Sequence, residues 1–77
     1  MKKERVGQRI LKQYRNKVRK ARLSALISTQ EELSRMSGID RCTINSLENN
    51  RLFLSAPHAL ILAEVLKCAL GDLYEKR

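Results

Sequence analysis

Arg41, Cys42, Asn45, Ser46 and Asn49 stand close together in a ten-residue stretch that begins at Asp40. At about 100° per residue on a helix, Cys42, Asn45, Ser46 and Asn49 share one face, with Arg41 on its flank. Their chemistry is hydrogen bonding, directed outward from short or forked side chains. A guanidinium can donate twice to guanine N7 and O6, and an asparagine amide can pair with adenine N6 and N7. Each such pair is worth about 1–3 kcal/mol of discrimination. Ser46 and Cys42 are too short to reach far and leave room for a thymine methyl or a water. A face that merely solubilises a helix would carry Glu and Lys, which are better helix formers than Asn, Ser or Cys.

Other reactive types do not assemble into a site. Cys42 and Cys68 are 26 positions apart with a single His, so Cys and His alone cannot close a zinc site, and no metal ligands or cofactor are expected. Cys42 reads as a small groove-facing residue and Cys68 as packing. His58 has no Ser–Asp or Cys pattern around it and reads as a surface residue. Glu31 and Glu32 read as carboxylates favoured at a helix start, not as an acid/base pair. No catalytic residues are assigned, and an enzyme is not expected.

The elements that must position the polar face come from a short chain. Seventy-seven residues, 43% of them apolar, suffice for one small domain and exclude a disordered tail. Three aromatics, three Gly and one Pro are too few for a sandwich or barrel, which leaves an all-α fold. The longest apolar run, Ala59 to Ala63, cannot cross a bilayer, and the start Met1-Lys2-Lys3 is no signal peptide. Cytoplasmic, reducing surroundings follow as the expectation. The net charge is +8, and its source is uneven: residues 1–25 hold ten of the 16 Lys and Arg against one acid. Such a field attracts polyanions, nucleic acid first and an anionic membrane surface second.

Apolar spacing predicts a long first helix over about 5–25, with a stripe through Val6, Ile10, Tyr14, Val18, Ala21 and Ala25. Leu26-Ile27-Ser28 is the turn. Thr29 and Glu32 make a capping box for a second helix over about 30–37, which buries Leu33 and Met36 and stops at Gly38. Asp40 caps the third helix, with Ile44 and Leu47 inward. A fourth starts at Ser55 to Pro57 and carries Leu60, Ile61, Leu62, Val65 and Leu66; a fifth spans about 70–76 with Leu70, Leu73 and Tyr74.

Two short helices meeting at Ser37-Gly38-Ile39 fit a helix-turn-helix. The run Thr29-Gln30-Glu31-Glu32-Leu33-Ser34, followed by Gly38 through Asn49, resembles the Xre/Cro/CI-type helix-turn-helix of phage repressors and bacterial regulators. Leu62-Ala63, Leu66 and Leu73 match its later apolar pattern, and the resemblance covers about residues 18–74. It implies a five-helix, lambda-repressor-like domain at 18–77, here with 1–17 as a basic extension of the first helix. It further implies base contacts from Arg41, Cys42, Asn45 and Ser46, and phosphate contacts from Gln30, Asn49, Thr43 and Arg51. Arg22 and Glu48 match a structural ion pair.

The chain departs from the pattern at several positions. Lys67 stands where a Gly is usual, Ala69 where a hydroxyl cap is usual, and Asn50 at a frequent Gly position. One extra residue separates Arg22 from Gln30, and the first helix is expected to begin about twelve residues early. The expected function is sequence-specific binding of double-stranded DNA as a transcriptional regulator, a repressor, acting as a homodimer in a bacterial or phage setting at the nucleoid. The N-terminal extension is expected to help dimerisation, the alternative being a basic arm for phosphates. An antitoxin with a toxin partner, a restriction–modification controller, a protein-only interaction module and a peripheral membrane binder are the rivals.

Overall fold

The computed structural model describes residues 12–76. In chain order it has strand β1 (Tyr14–Asn16), helices α1 (Val18–Ser24), α2 (Gln30–Ser37), α3 (Arg41–Glu48) and α4 (Ala56–Leu66), a 3₁₀ turn (Leu70–Leu73) and strand β2 (Tyr74–Lys76). Helices α1 to α4 surround one core, formed by Val18, Ile27, Leu33, Ile39, Ile44, Leu47, Leu54, Ala59, Leu62, Leu66 and Leu73.

Local chemistry explains α2 and α3. The Thr29 hydroxyl accepts the Glu32 N–H at 3.1 Å, whereas no return bond from the Glu32 carboxylate forms, so only half of the expected capping box is present. Gly38 closes α2 at φ 76°, left-handed backbone that suits glycine, and donates its N–H to the Ser34 carbonyl. Two residues on, the Asp40 carboxylate accepts from Cys42 N at 2.9 Å and Thr43 N at 3.4 Å, starting α3. The turn between the helices is held by Ser34 Oγ, which donates to the Ile39 carbonyl at 2.6 Å.

The first helix differs from the expectation. Instead of running continuously over 5–25, the chain leaves helical geometry at Tyr14–Lys17, and α1 starts at Val18. Tyr14, Arg15 and Asn16 pair antiparallel with Lys76, Glu75 and Tyr74, and Lys17 N extends the pairing to the Leu73 carbonyl at 2.7 Å. Asn16 is the reason: it is a poor helix former, and its Oδ1 accepts the Val18 N–H at 3.1 Å. That bond initiates α1 from outside, as asparagine does in turns. The apolar positions Val6, Ile10 and Leu11 lie outside the described residues.

Lys12 and Gln13 are helical, and after them four α-helices and one 3₁₀ turn follow among the described residues, the expected fifth helix being split into the 3₁₀ turn and β2. Its start lacks the hydroxyl: Asp72 accepts the Ala69 N–H at 3.1 Å, and with only a methyl at Ala69 the Asp72 N–H is taken by the Ala69 main-chain carbonyl at 3.0 Å. Met36, Leu60, Ile61 and Leu70, expected inside, are exposed. Within the stretch between Arg22 and Gln30, where one extra residue is expected, Leu26 turns the chain at φ 63° with its side chain in solvent. Tyr74, also assigned to the fifth helix, instead reaches back from β2 and donates its hydroxyl to the Leu54 carbonyl at 2.6 Å.

Two predictions arise here. Lys67 ends α4 at φ 54°, a left-handed conformation that costs a non-glycine residue about 1–2 kcal/mol. Its side chain is exposed, so Lys67→Gly should stabilise the domain by about 1 kcal/mol, after allowing for the looser unfolded chain; a urea midpoint that falls would refute this. Burial pushes the Tyr74 phenol above its ordinary range. A folded pKa above the unfolded one gives stability that is complete below about pH 10 and declines as pH climbs beyond it. Tyr74→Phe should flatten that alkaline decline, read by urea melts at about pH 8 and about pH 11.

Candidate nucleic-acid interface

The polar face of α3 is built from beneath. Ile44 and Leu47 are wholly buried and anchor the helix to the core, which turns Cys42 and Asn45 to solvent and leaves Ser46 half-buried. Asn49 follows as the C-terminal cap, exposed, and Asn50 takes φ 55° to bend the chain away. Arg51, also exposed, donates its main-chain N–H to the Ser46 carbonyl at 2.9 Å.

Below this face lies an ion pair. Arg22 on α1 donates to Glu48 on α3, Nε to Oε2 at 2.7 Å and a second nitrogen to Oε1 at 3.1 Å. The side chains are only 7% and 2% exposed, which takes this pair out of the class of surface bridges that contribute little. Arg22 also donates to the Ile27 carbonyl at 3.0 Å and so binds the α1–α2 turn to the same point. The hydrogen bond with Glu48 holds the guanidinium above its usual range, against the desolvation that acts in the opposite sense.

Gln30, the first residue of α2, is drawn into this cluster. Its Nε2 donates to Glu48 Oε1 at 3.1 Å and to Asn45 Oδ1 at 3.3 Å. Asn49 Nδ2 donates to the Asn45 main-chain carbonyl at 2.9 Å and to Asn45 Oδ1 at 3.1 Å. Four of the sequence-derived positions, Gln30, Asn45, Glu48 and Asn49, thus form one connected network, with Arg22 as its buried end. Arg41 stands apart. It is mostly exposed and faces Glu31 at 3.9 Å, too long and too wet a contact to restrain it. Thr43 is half-buried on the flank near the start of α3, away from the network.

One supporting residue escaped sequence reading. Asn16 is 8% exposed and donates Nδ2 to the Leu47 carbonyl at 2.7 Å and to Asn50 Oδ1 at 3.3 Å. It ties β1 to the last turn of α3 and to the loop that leaves it. Asn50, read only as tolerant of left-handed backbone, serves also as the acceptor for Asn16. A low-propensity Asn inside an otherwise helical stretch was the available signal.

No helix among the described residues is long and apolar enough to cross a membrane. The family model described as Helix-turn-helix matches residues 18–73, which is most of the chain. No curated protein and no solved structure matches it.

Proposed function

The chain belongs to the Xre/Cro/CI-type helix-turn-helix family of DNA-binding regulators, and on that premise we propose that it is a sequence-specific transcriptional repressor that lays α3 in the major groove of double-stranded DNA. The observation that carries this reading is the exposed amide and hydroxyl face of α3, held from behind by a buried ion pair and not by solvent. B-DNA's major groove admits a helix of this kind and displays a distinct donor and acceptor pattern for each base pair.

Arg41, Cys42, Asn45 and Ser46 face the bases in this reading, and Arg41, being unrestrained, is free to swing onto a guanine. Thr43, Asn49 and Arg51 flank the helix at phosphates. Gln30 serves the phosphate through its main-chain N–H at the start of α2, where the first amides of a helix have no partner within it, because both hydrogens of its side-chain amide already point at Glu48 and Asn45. Asn16 and the Arg22–Glu48 pair hold the helix and do not touch DNA.

A homodimer on a two-fold operator, with half-sites about one helical turn apart, completes the proposal. The basic segment over residues 1–17 adds phosphate contacts, and the protein works in the cytoplasm at the nucleoid. A toxin as partner would make it an antitoxin with the same DNA chemistry. Selection of bound sequences from random duplexes tests the reading: a recovered motif with two-fold symmetry supports it, and recovery no better than scrambled competitor overturns it. Removing residues 1–12 should lower the slope of log affinity against log salt by about 0.9 for each phosphate that is no longer neutralised. Light scattering on the same truncated chain shows whether the segment also contributes to dimerisation.

A further inference from the structure

We infer that Asn45 meets DNA as a hydrogen-bond donor only, so that it reads guanine and rejects adenine at the base pair it faces; this rests on α3 being the groove-facing helix. Asparagine's usual pairing with adenine needs both ends of one amide, the oxygen for N6–H and the nitrogen for N7. In this chain the oxygen is already taken.

The orientation follows from two acceptor-only groups on either side. The Glu48 carboxylate, held doubly by Arg22, can only accept, so the Gln30 amide must turn its NH₂ toward it. That same nitrogen then points its other hydrogen at Asn45, 3.3 Å away. On the opposite side, the main-chain carbonyl of Asn45 can only accept, so Asn49 must turn its NH₂ toward it at 2.9 Å. Asn49's nitrogen likewise lies 3.1 Å from the Asn45 side chain. Asn45 therefore has a donor on each side, and only Oδ1 satisfies both. An amide oxygen has two lone pairs, and both are occupied.

Flipping the amide would set an NH₂ against two NH₂ groups and break both bonds. What remains for the groove is Nδ2, which bonds to nothing else among the described residues and belongs to an exposed side chain. Guanine offers N7 and O6, two acceptors and no donor, and is the base edge that a lone NH₂ fits best. Adenine offers N7 beside the N6 amino group, which would be left facing a second donor. The sequence-based pairing of Asn45 with adenine is replaced accordingly.

The test begins with the half-site selected by the full chain from random duplexes. The position whose base preference disappears in Asn45→Ala is the one Asn45 reads. Guanine is expected there, with adenine weakening binding about tenfold. In the double variant Gln30→Ala/Asn49→Ala the Asn45 oxygen is released, and the guanine-to-adenine ratio should shrink to about twofold, since a free amide can serve either purine. Overall affinity falls in that variant through the loss of the Asn49 side chain at its phosphate, while the main-chain N–H of residue 30 is kept, and the ratio between two operators is insensitive to such a uniform weakening. Adenine at the Asn45-dependent position, a ratio unmoved by the double variant, or no position that depends on Asn45 overturns the inference while leaving DNA binding intact. Failure to select any duplex overturns the reading of α3 itself.

Discussion

Glu48→Ala is expected to lower stability by about 3–5 kcal/mol, the usual effect of removing one member of a buried ion pair. Arg22 would be left as a buried guanidinium with one remaining bond, to the Ile27 carbonyl. A domain of this length has a total stability on the order of only 5 kcal/mol, so the variant should be largely unfolded at room temperature, visible as a collapse of the helical circular dichroism. The damage comes from stranding a charge, not from the value of the pair as such. Arg22→Met/Glu48→Leu, which replaces both partners by apolar groups, should therefore recover most of the stability. A Glu48→Ala protein with an unshifted urea midpoint would show that the pair is dispensable. In the refolded double variant the Gln30 amide has no carboxylate anchor, so DNA discrimination should be weaker even where folding is restored.

Asn16→Ala comes second, at about 2–3 kcal/mol. It removes three side-chain bonds, to the Leu47 carbonyl, to Asn50 Oδ1 and from the Val18 N–H. The Leu47 carbonyl keeps the Asn50 N–H, and Asn50 Oδ1 keeps the main-chain N–H of residue 16. Each intramolecular hydrogen bond lost costs about 0.5–1.5 kcal/mol net, and the main-chain donors that remain on both acceptors keep the sum of the three at about 2–3 kcal/mol. Asn16→Asp should be no better, although it retains the acceptor for Val18. It places a carboxylate against the Leu47 carbonyl and Asn50 Oδ1, where two donors' worth of bonding is needed. Denaturant melts of the two variants beside the parent chain decide the matter; an Asp variant as stable as the parent would remove the donor role assigned to Nδ2.

The parts of the fold that were legible in the sequence are those whose causes are local. Thr29, Gly38 and Asp40 mark the ends of α2 and α3 because a cap acts on amides within three residues of itself. The outward set on α3 was legible for the same reason, since Ile44 and Leu47 determine which side is in. The break before α1 was not. Tyr14 and Val18 are four apart and fit a helix stripe as well as Val18 and Ala21 do, while the strand that captures Tyr14–Asn16 lies about 60 residues onward. Local periodicity carries no information about such a partner.

The exposed apolar residues were misread for a related reason. Leu60 and Ile61 sit in the most apolar helix, but only one face of α4, through Ala59, Leu62 and Leu66, is buried. The Asn45 amide illustrates the opposite limit. Its residue type was visible from the start, yet its orientation depends on Gln30 and on Glu48, and through Glu48 on an arginine from α1.

The antiparallel pairing of Tyr14–Asn16 with Tyr74–Lys76 has a mechanical meaning. The two strands leave the domain at the same end, so tension applied across residues 14 and 76 loads one cross-strand rung at a time, as a zipper is opened, and does not shear all rungs together. Rupture would run from Tyr14–Lys76 through Arg15–Glu75 to Asn16–Tyr74. The last of these also frees the asparagine that grips the end of α3. A modest pull on the chain's flanks would thus reach the groove-facing helix before the core gives way.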